Sequence, residues 1–239
     1  MGAPSVSVIR RGRERARAAP WRGDGAVALI TVTPEAPFLS ADFVRHCLDT
    51  LAHQGFSRVV TGALSPLEQA GFLAAGFGVE EHLRLLGLDL TGPLPAQPAG
   101  PRLTRVTGRR RAEVLAVDRS AFPEFWRFDE LALLDALEAT PEVRFRAAAG
   151  RGGPVTGYAI CGRSGRRGYV QRLAVDPAAQ GRGIGKRLLL DGLYWMAGRG
   201  ATRALVNTQT DNQAALALYS AVGFSEEPVG LSVLSTGLA

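Results

Sequence analysis

The sequence predicts a mixed α/β fold built as two related halves. Three observations carry this. Residues 101–239 alternate strand and helix signals in the order β-α-α-β-β-β-α-β-α-β. Residues 26–90 repeat part of that order, at an offset that drifts from 143 (Leu173 against Ile30) to 147 (Tyr219 against Phe72). Between them lies TGPLPAQPAGP, residues 91–101, whose four prolines and two glycines extend neither helix nor sheet. A chain of 239 residues has room for two small domains, expected at 1–92 and 101–239.

The second half reads in order. Residues 102–106 form a short strand. Residues 110–120 and 129–139 form helices, the second opened by Asp129 as N-cap. Residues 144–149 and 155–161 are strands joined by a turn at 150–154. A strand over 168–175 ends at Asp176-Pro177. The helix over 183–197 carries Leu188, Leu189, Leu193 and Met196 on one face. Gly198 and Gly200 stop it. A strand over 203–208, a helix over 213–222 closed by Gly223, and a last strand over 231–235 complete the half.

In the first half, ITVTP (30–34) parallels LAVDP (173–177). A helix over 41–52 parallels 183–197, and Gly55 parallels Gly200. The strand 56–61 parallels 201–206. LEQAGFLAAGF (67–77) parallels LALYSAVGF (216–224). A period this long means domain duplication rather than a solenoid. The arginines between Arg10 and Arg17 read as a solvated strand end or turn.

Composition bounds the function. A hydrophobic fraction of 46% and a charged fraction of 21% are globular values, which exclude collagen-like, coiled-coil and fully disordered chains. Cys47 and Cys161 are too few for a disulfide framework or a cysteine metal cluster. His46, His53 and His82 show no metal-ligand spacing, so no metal is expected. No apolar run approaches the ~18 residues that span a bilayer, and arginines from Arg10 onward interrupt any signal-peptide core. The expected compartment is the cytoplasm, with no membrane partner. The net charge of +6 lies wholly in the second half: residues 1–100 hold nine arginines and nine acids. That half suits an anionic ligand. No basic stripe interleaved with aromatics is present, which argues against nucleic acid.

The most informative stretch is QGRGIGKR, residues 180–187, between a strand and a helix. Gly181, Gly183 and Gly185 allow close backbone approach and φ > 0. The helix that follows aims its N-terminal N–H groups and positive dipole end at whatever lies there. Arg182, Lys186 and Arg187 add charge. The set favours a phosphate or pyrophosphate, though a tight turn with solvated arginines uses the same residues. Its spacing departs from both G-x-x-x-x-G-K-[ST] and G-x-G-x-x-G.

LAVDPAAQGRGIGKRLL (173–189) resembles the acyl-CoA-binding signature of the GCN5-related N-acetyltransferase (GNAT) superfamily. NQAALALYSAVGF (212–224) resembles the same superfamily's C-terminal pattern. The resemblance covers 101–239 well and 26–90 faintly. It implies two tandem GNAT-like mixed-sheet domains with only the C-terminal one complete.

The resemblance further implies that acetyl-CoA lies between two splayed parallel strands, 168–175 and 203–208. Backbone groups of Leu173 and Val175 would pair with the pantetheine arm. The loop of Gln180, Gly181, Arg182, Gly183, Ile184, Gly185 and Lys186 would cradle the pyrophosphate. Asn212 would reach the cofactor arm. A backbone N–H near Leu173 and Ala174 would stabilise the developing oxyanion, and Tyr219 would protonate the leaving thiolate. The general base is missing. Some relatives carry glutamate where this chain has Asn207, and Gln171 on the other strand is uncharged. A water chain, or Glu124, Asp129 or Glu130, is expected in its place. Phe122, Phe125, Trp126 and Phe128 form an acceptor wall or plain core.

The first half lacks the loop, having APFLSA at 36–41, and has Phe72 where Tyr219 stands. It reads as a degenerate copy, an arrangement that distantly resembles mycothiol synthases. The expected function is acetyl transfer from acetyl-CoA to a primary amine, on a small molecule or a protein N-terminus, by direct attack. The alternative is an inactive acyl-CoA-binding or partner-binding module.

Overall fold

The computed structural model describes residues 7–22, 24–33, 36–150 and 152–238. Pro34 of the expected 30–34 segment and Arg151 of the expected turn lie outside them. The chain divides into two compact units: residues 1–85, 209–211 and 227–239, and residues 86–208 and 212–226.

The first unit starts with strands β1 (Ser7–Arg11) and β2 (Glu14–Trp21), an antiparallel hairpin turned at Gly12, where φ is +61°. The arginine-rich segment is therefore both arms of a hairpin rather than a strand end alone. Strand β3 (Asp24–Val32) pairs antiparallel with β2 and parallel with β4 (Arg58–Thr61). Helix α1 (Ala41–His53) connects them and buries Phe43, Val44, Cys47 and Leu51. These four recur at helical spacing, so the apolar stripe faces the sheet. Helix α2 (Pro66–Ala74) packs Phe72 into the same core, edge-on to Phe77.

The second unit holds β6 (Arg102–Arg105), α3 (Arg111–Ala121), α4 (Glu130–Glu138), β7 (Glu142–Ala149), β8 (Val155–Ser164), β9 (Arg167–Val175), α5 (Ile184–Gly198), β10 (Arg203–Gln209), α6 (Gln213–Ser220) and β11 (Ser225–Glu226). Strands β6 to β9 form antiparallel neighbours in order, and β10 joins β9 in parallel. Two apolar layers sandwich them. One, under α5 and α6, includes Leu188, Leu189, Leu193, Met196 and Tyr219. The other, under α3 and α4, includes Val114, Val117, Leu133, Tyr158 and Ile160.

Two features depart from expectation. Residues 78–89 form a long strand, β5 (Gly78–Asp89), and the division between units falls within it, after Leu85. The last strand, β12 (Leu231–Gly237), belongs to the first unit, because it pairs with β4 and with the start of β5. The stretch 91–101 does not separate the units. It lies along α5 in the second one, held by Arg187 on the Pro98 carbonyl at 2.5 Å and by the Tyr194 hydroxyl on the Leu94 and Pro95 carbonyls at 3.2 Å. A proline-rich chain leaves its carbonyls free, and side-chain donors on the adjoining helix take them.

Candidate active site

Strands β9 and β10 pair at three positions only, Arg167 with Arg203, Gly168 with Ala204 and Tyr169 with Leu205. Just beyond, β9 bulges. Against β8, Ile160 faces Arg172 and Cys161 faces Val170, so Gln171 is the extra residue. A bulge bends its strand and ends regular pairing. From there β9 runs to Val175 without β10 alongside, and a cavity of about 340 Å³ opens.

Leu173, Ala174 and Val175 form one wall of the cavity. The Asp176 N–H bonds to the Thr156 carbonyl at 2.9 Å. Strand alternation then turns the Ala174 backbone toward β8 and the N–H and C=O of Leu173 and Val175 toward the open edge. The Val175 carbonyl accepts a hydrogen bond from Gln180 Nε2 at 3.2 Å.

The glycine loop forms the floor. Gly181 and Gly183 have φ of +73° and +75°, left-handed values that strain any residue with a Cβ. Nothing lies within 4 Å of the position a Cβ would take at either, so the backbone is open on that side. Gly185 has a different task. A Cβ there would sit 3.3 Å from Leu218 and 3.6 Å from Val175, so its lack of side chain seats α5 closely. Gly183 caps α5 without a side-chain hydrogen bond. The first-turn N–H groups and the dipole of a 15-residue helix thus face the loop. Lys186 and Ile184 line the cavity. The other two cations do not line it. Arg187 is taken by Pro98, and the exposed Arg182 bonds back to the Ala178 carbonyl at 3.3 Å. Open glycine backbone, an uncapped helix start and one lysine fit the pyrophosphate of an acyl-CoA.

Asn212 and Tyr219 line the far wall on α6. Asn212 caps the helix, its Oδ1 accepting from the Ala215 N–H at 3.1 Å, which commits the oxygen and leaves the amide NH2 as donor. Tyr219 is 5% exposed, and its ring lies 5.6 Å from Phe224. Burial pushes its phenol well above the ordinary 10.0, with a smaller contribution from Cys161. Among the described residues its hydroxyl has no hydrogen-bond partner.

The expected bases are not there. Asp129 spends its carboxylate on the Ala132 N–H at 2.7 Å as the α4 N-cap. Glu124 and Glu130 are exposed, and none of the three lines the cavity. Asn207 is exposed on β10. Among the described residues no Asp, Glu or His lines the cavity.

One group escaped the sequence reading. Asp118 on α3 is fully buried and receives four hydrogen bonds: from Arg172 Nε at 2.8 Å and Nη2 at 2.9 Å, from the Tyr158 hydroxyl at 2.5 Å, and from the Phe128 N–H at 2.6 Å. Its signal was present: a carboxylate one turn after Val114, on the face that α3 buries, demands a partner.

The fold and cavity define an α/β protein with a glycine-loop cavity where two parallel strands part, and comparison with known proteins agrees with that class. Residues 111–224 match the acetyltransferase (GNAT) family, so this segment of the chain is a GNAT domain. It is 35% identical over 175 residues to a mycothiol acetyltransferase of Saccharomonospora viridis, covering 65% of this chain and 57% of that protein. It is 48% identical over 84 residues to the N-alpha-acetyltransferase RimI of Mycobacterium tuberculosis, covering 34% of this chain and 50% of that protein. A solved tandem GNAT protein from the clavulanic acid biosynthesis pathway shares the fold with TM-score 0.68 and 14% identity, over 100% of this chain and 85% of that one. The chain thus spans less than two thirds of the mycothiol acetyltransferase it matches. No helix among the described residues is long and apolar enough to cross a membrane.

Proposed function

We propose that the chain transfers acetyl from acetyl-CoA to a primary amine by direct attack, with Tyr219 as general acid. The observation that carries this is that the glycine loop, the open edge of β9 and the buried Tyr219 all line one cavity. Loop residues Gly181, Gly183 and Lys186 and the start of α5 hold the pyrophosphate. The backbone of Leu173 and Val175 pairs with the pantetheine arm, which takes over the carbonyl that Gln180 now caps. The NH2 of Asn212 steadies the arm. The bound thioester supplies the electrophilic carbonyl.

The chain's own groups do the rest. The Leu173 N–H, on the open edge, donates to the carbonyl oxygen as negative charge builds there. Tyr219 gives its proton to sulfur as the carbon–sulfur bond breaks. Its raised pKa keeps the phenol protonated at neutral pH. The amine nitrogen loses its own proton to water, because no side chain of the cavity accepts one. Acetyl-CoA is a cytosolic metabolite, so the reaction belongs in the cytoplasm. The acceptor is an amine on a small molecule or at a protein N-terminus.

The test is thiol release from acetyl-CoA by the purified chain against a panel of amines and peptide N-termini, with calorimetric CoA binding alongside. Amine-dependent release supports the proposal. Binding without release on any acceptor favours the inactive binding module. No binding at all reduces the glycine loop to a turn and overturns it.

A further inference from the structure

Residues 122–128 run from the end of α3 to the start of α4, and Phe122 and Ala121 line the cavity. This segment has little regular structure, yet it is tied at several points to one side chain. Arg172 follows the bulge residue Gln171 and precedes Leu173, so it sits on the stretch of β9 that forms the cavity wall. Its guanidinium lies 3.4 Å from the Phe122 ring centroid and 4.0 Å from that of Phe128. Its Nη2 donates to the Trp126 carbonyl at 2.6 Å. Asp118 grips the same guanidinium with both oxygens and also takes the Phe128 N–H. The pair is nearly dry, with 9% and 0% side-chain exposure. A buried ion pair is weak evidence for stability, since apolar replacement is often neutral. A planar fork that meets a carboxylate, a carbonyl and two ring faces at once is strong evidence for fixed geometry.

We propose that Asp118 and Arg172 are positioning residues that lock residues 122–128 onto the acyl-binding strand as the rigid wall of the acceptor side. Phe122 then keeps a fixed distance from the Leu173 backbone, where the amine must approach. The acceptor half of this inference rests on the acetyl-transfer proposal above. The locking half does not.

The test uses Arg172→Lys in the full chain. Lysine keeps the charge beside Asp118 but has neither the fork nor the planar face. Amide hydrogen exchange, read by mass spectrometry, should speed up about tenfold or more across 122–128, including the Phe128 N–H, while α5 and β8 stay protected. The KM for the acceptor should rise about tenfold, while the Kd for CoA moves less than about twofold. Tyr158→Phe removes a donor from the same carboxylate but keeps the ring that packs in this cluster and every hydrogen bond from Asp118 and Arg172 to 122–128, and should leave both exchange and acceptor KM near wild type. Exchange unchanged in Arg172→Lys overturns the proposal. So does a rise spread evenly over the unit, or a CoA Kd that rises together with the acceptor KM. If the wild-type chain acetylates nothing, the exchange result still decides the locking claim, and only the catalytic proposal fails.

Discussion

The two units build the same strand-to-helix crossing and finish it in opposite ways. In the second unit, α5 begins at a glycine with no side-chain cap, and the adjoining strands part after three paired residues. In the first, β3 and β4 stay paired along all of β4, Val27 with Arg58 through to Ile30 with Thr61. Helix α1 is capped by Ser40, whose Oγ accepts from the Phe43 N–H at 3.2 Å. The Ser40 N–H and Oγ in turn donate to Glu14, at 2.5 and 2.8 Å. A carboxylate from the chain thus already occupies the anion-seeking end of α1. The space is filled as well. A Cβ on Gly71 would sit 1.8 Å from the Leu39 carbonyl oxygen, whereas its counterpart Leu218 lines the cavity. One crossing is open to a ligand, and the other is closed by its own residues.

The sharpest way to break this comparison is to exchange the aromatic partners. Tyr219→Phe should lower turnover about 10²- to 10⁴-fold and leave the calorimetric CoA affinity unchanged. Phe72→Tyr should restore no activity. Phe72 is fully buried in an apolar cluster, so its new hydroxyl should cost about 1–3 kcal/mol in a urea melt. Equal turnover in wild type and Tyr219→Phe would remove the phenol from the chemistry.

A second contrast concerns the base that the cavity lacks. kcat/KM should rise about tenfold per pH unit up to the acceptor's own amine pKa, because only the neutral amine attacks. In the proposed role Tyr219 acts as an acid, and its pKa is raised, so loss through this phenol should begin only above its ordinary 10.0. A plateau set by an enzyme group near pH 6 or 7, independent of the amine used, would reveal a base outside the cavity lining.

Gly183→Ala forces a side chain into φ +75°. It should cost about 1–2 kcal/mol and weaken CoA binding. Lys186→Ala should weaken CoA binding by a smaller factor and flatten its salt dependence, since a charge is removed while the backbone cradle stays. Calorimetry at two ionic strengths separates them. Ser40→Ala is the smallest. Loss of the α1 cap should cost about 1 kcal/mol, with CoA affinity untouched. A change in CoA binding there would mean that the closed crossing also contacts the ligand.

Most elements were legible because their signals are local. The glycine loop, the Asp129 cap, the apolar face of α5 and the Gly223 stop all sit within a few residues of what they control. Gly76 and Gly223 both take positive φ, +96° and +106°, as helix stops should. Strand β5 was missed because Glu80 and Glu81, then Leu85 and Leu86, break the alternation that marks a half-buried strand. The fate of the charges was not legible either. QGRGIGKR offers three cations to one loop, and only the fold shows that Arg187 turns to Pro98.

By itself the sequence determined the α/β class, the internal duplication, the glycine loop and the tyrosine on the last helix. Each depends on residue type and short spacing. Tertiary structure decided where the duplicated units divide, because β12 pairs with β4 and β5 far back in the chain. It also decided which carboxylate is buried and paired. Glu124, Asp129 and Glu130 were nearby in sequence, but Asp118 meets Arg172 across 54 residues. A pairing at that distance rests on the strand register and the bulge at Gln171, and no local pattern encodes it.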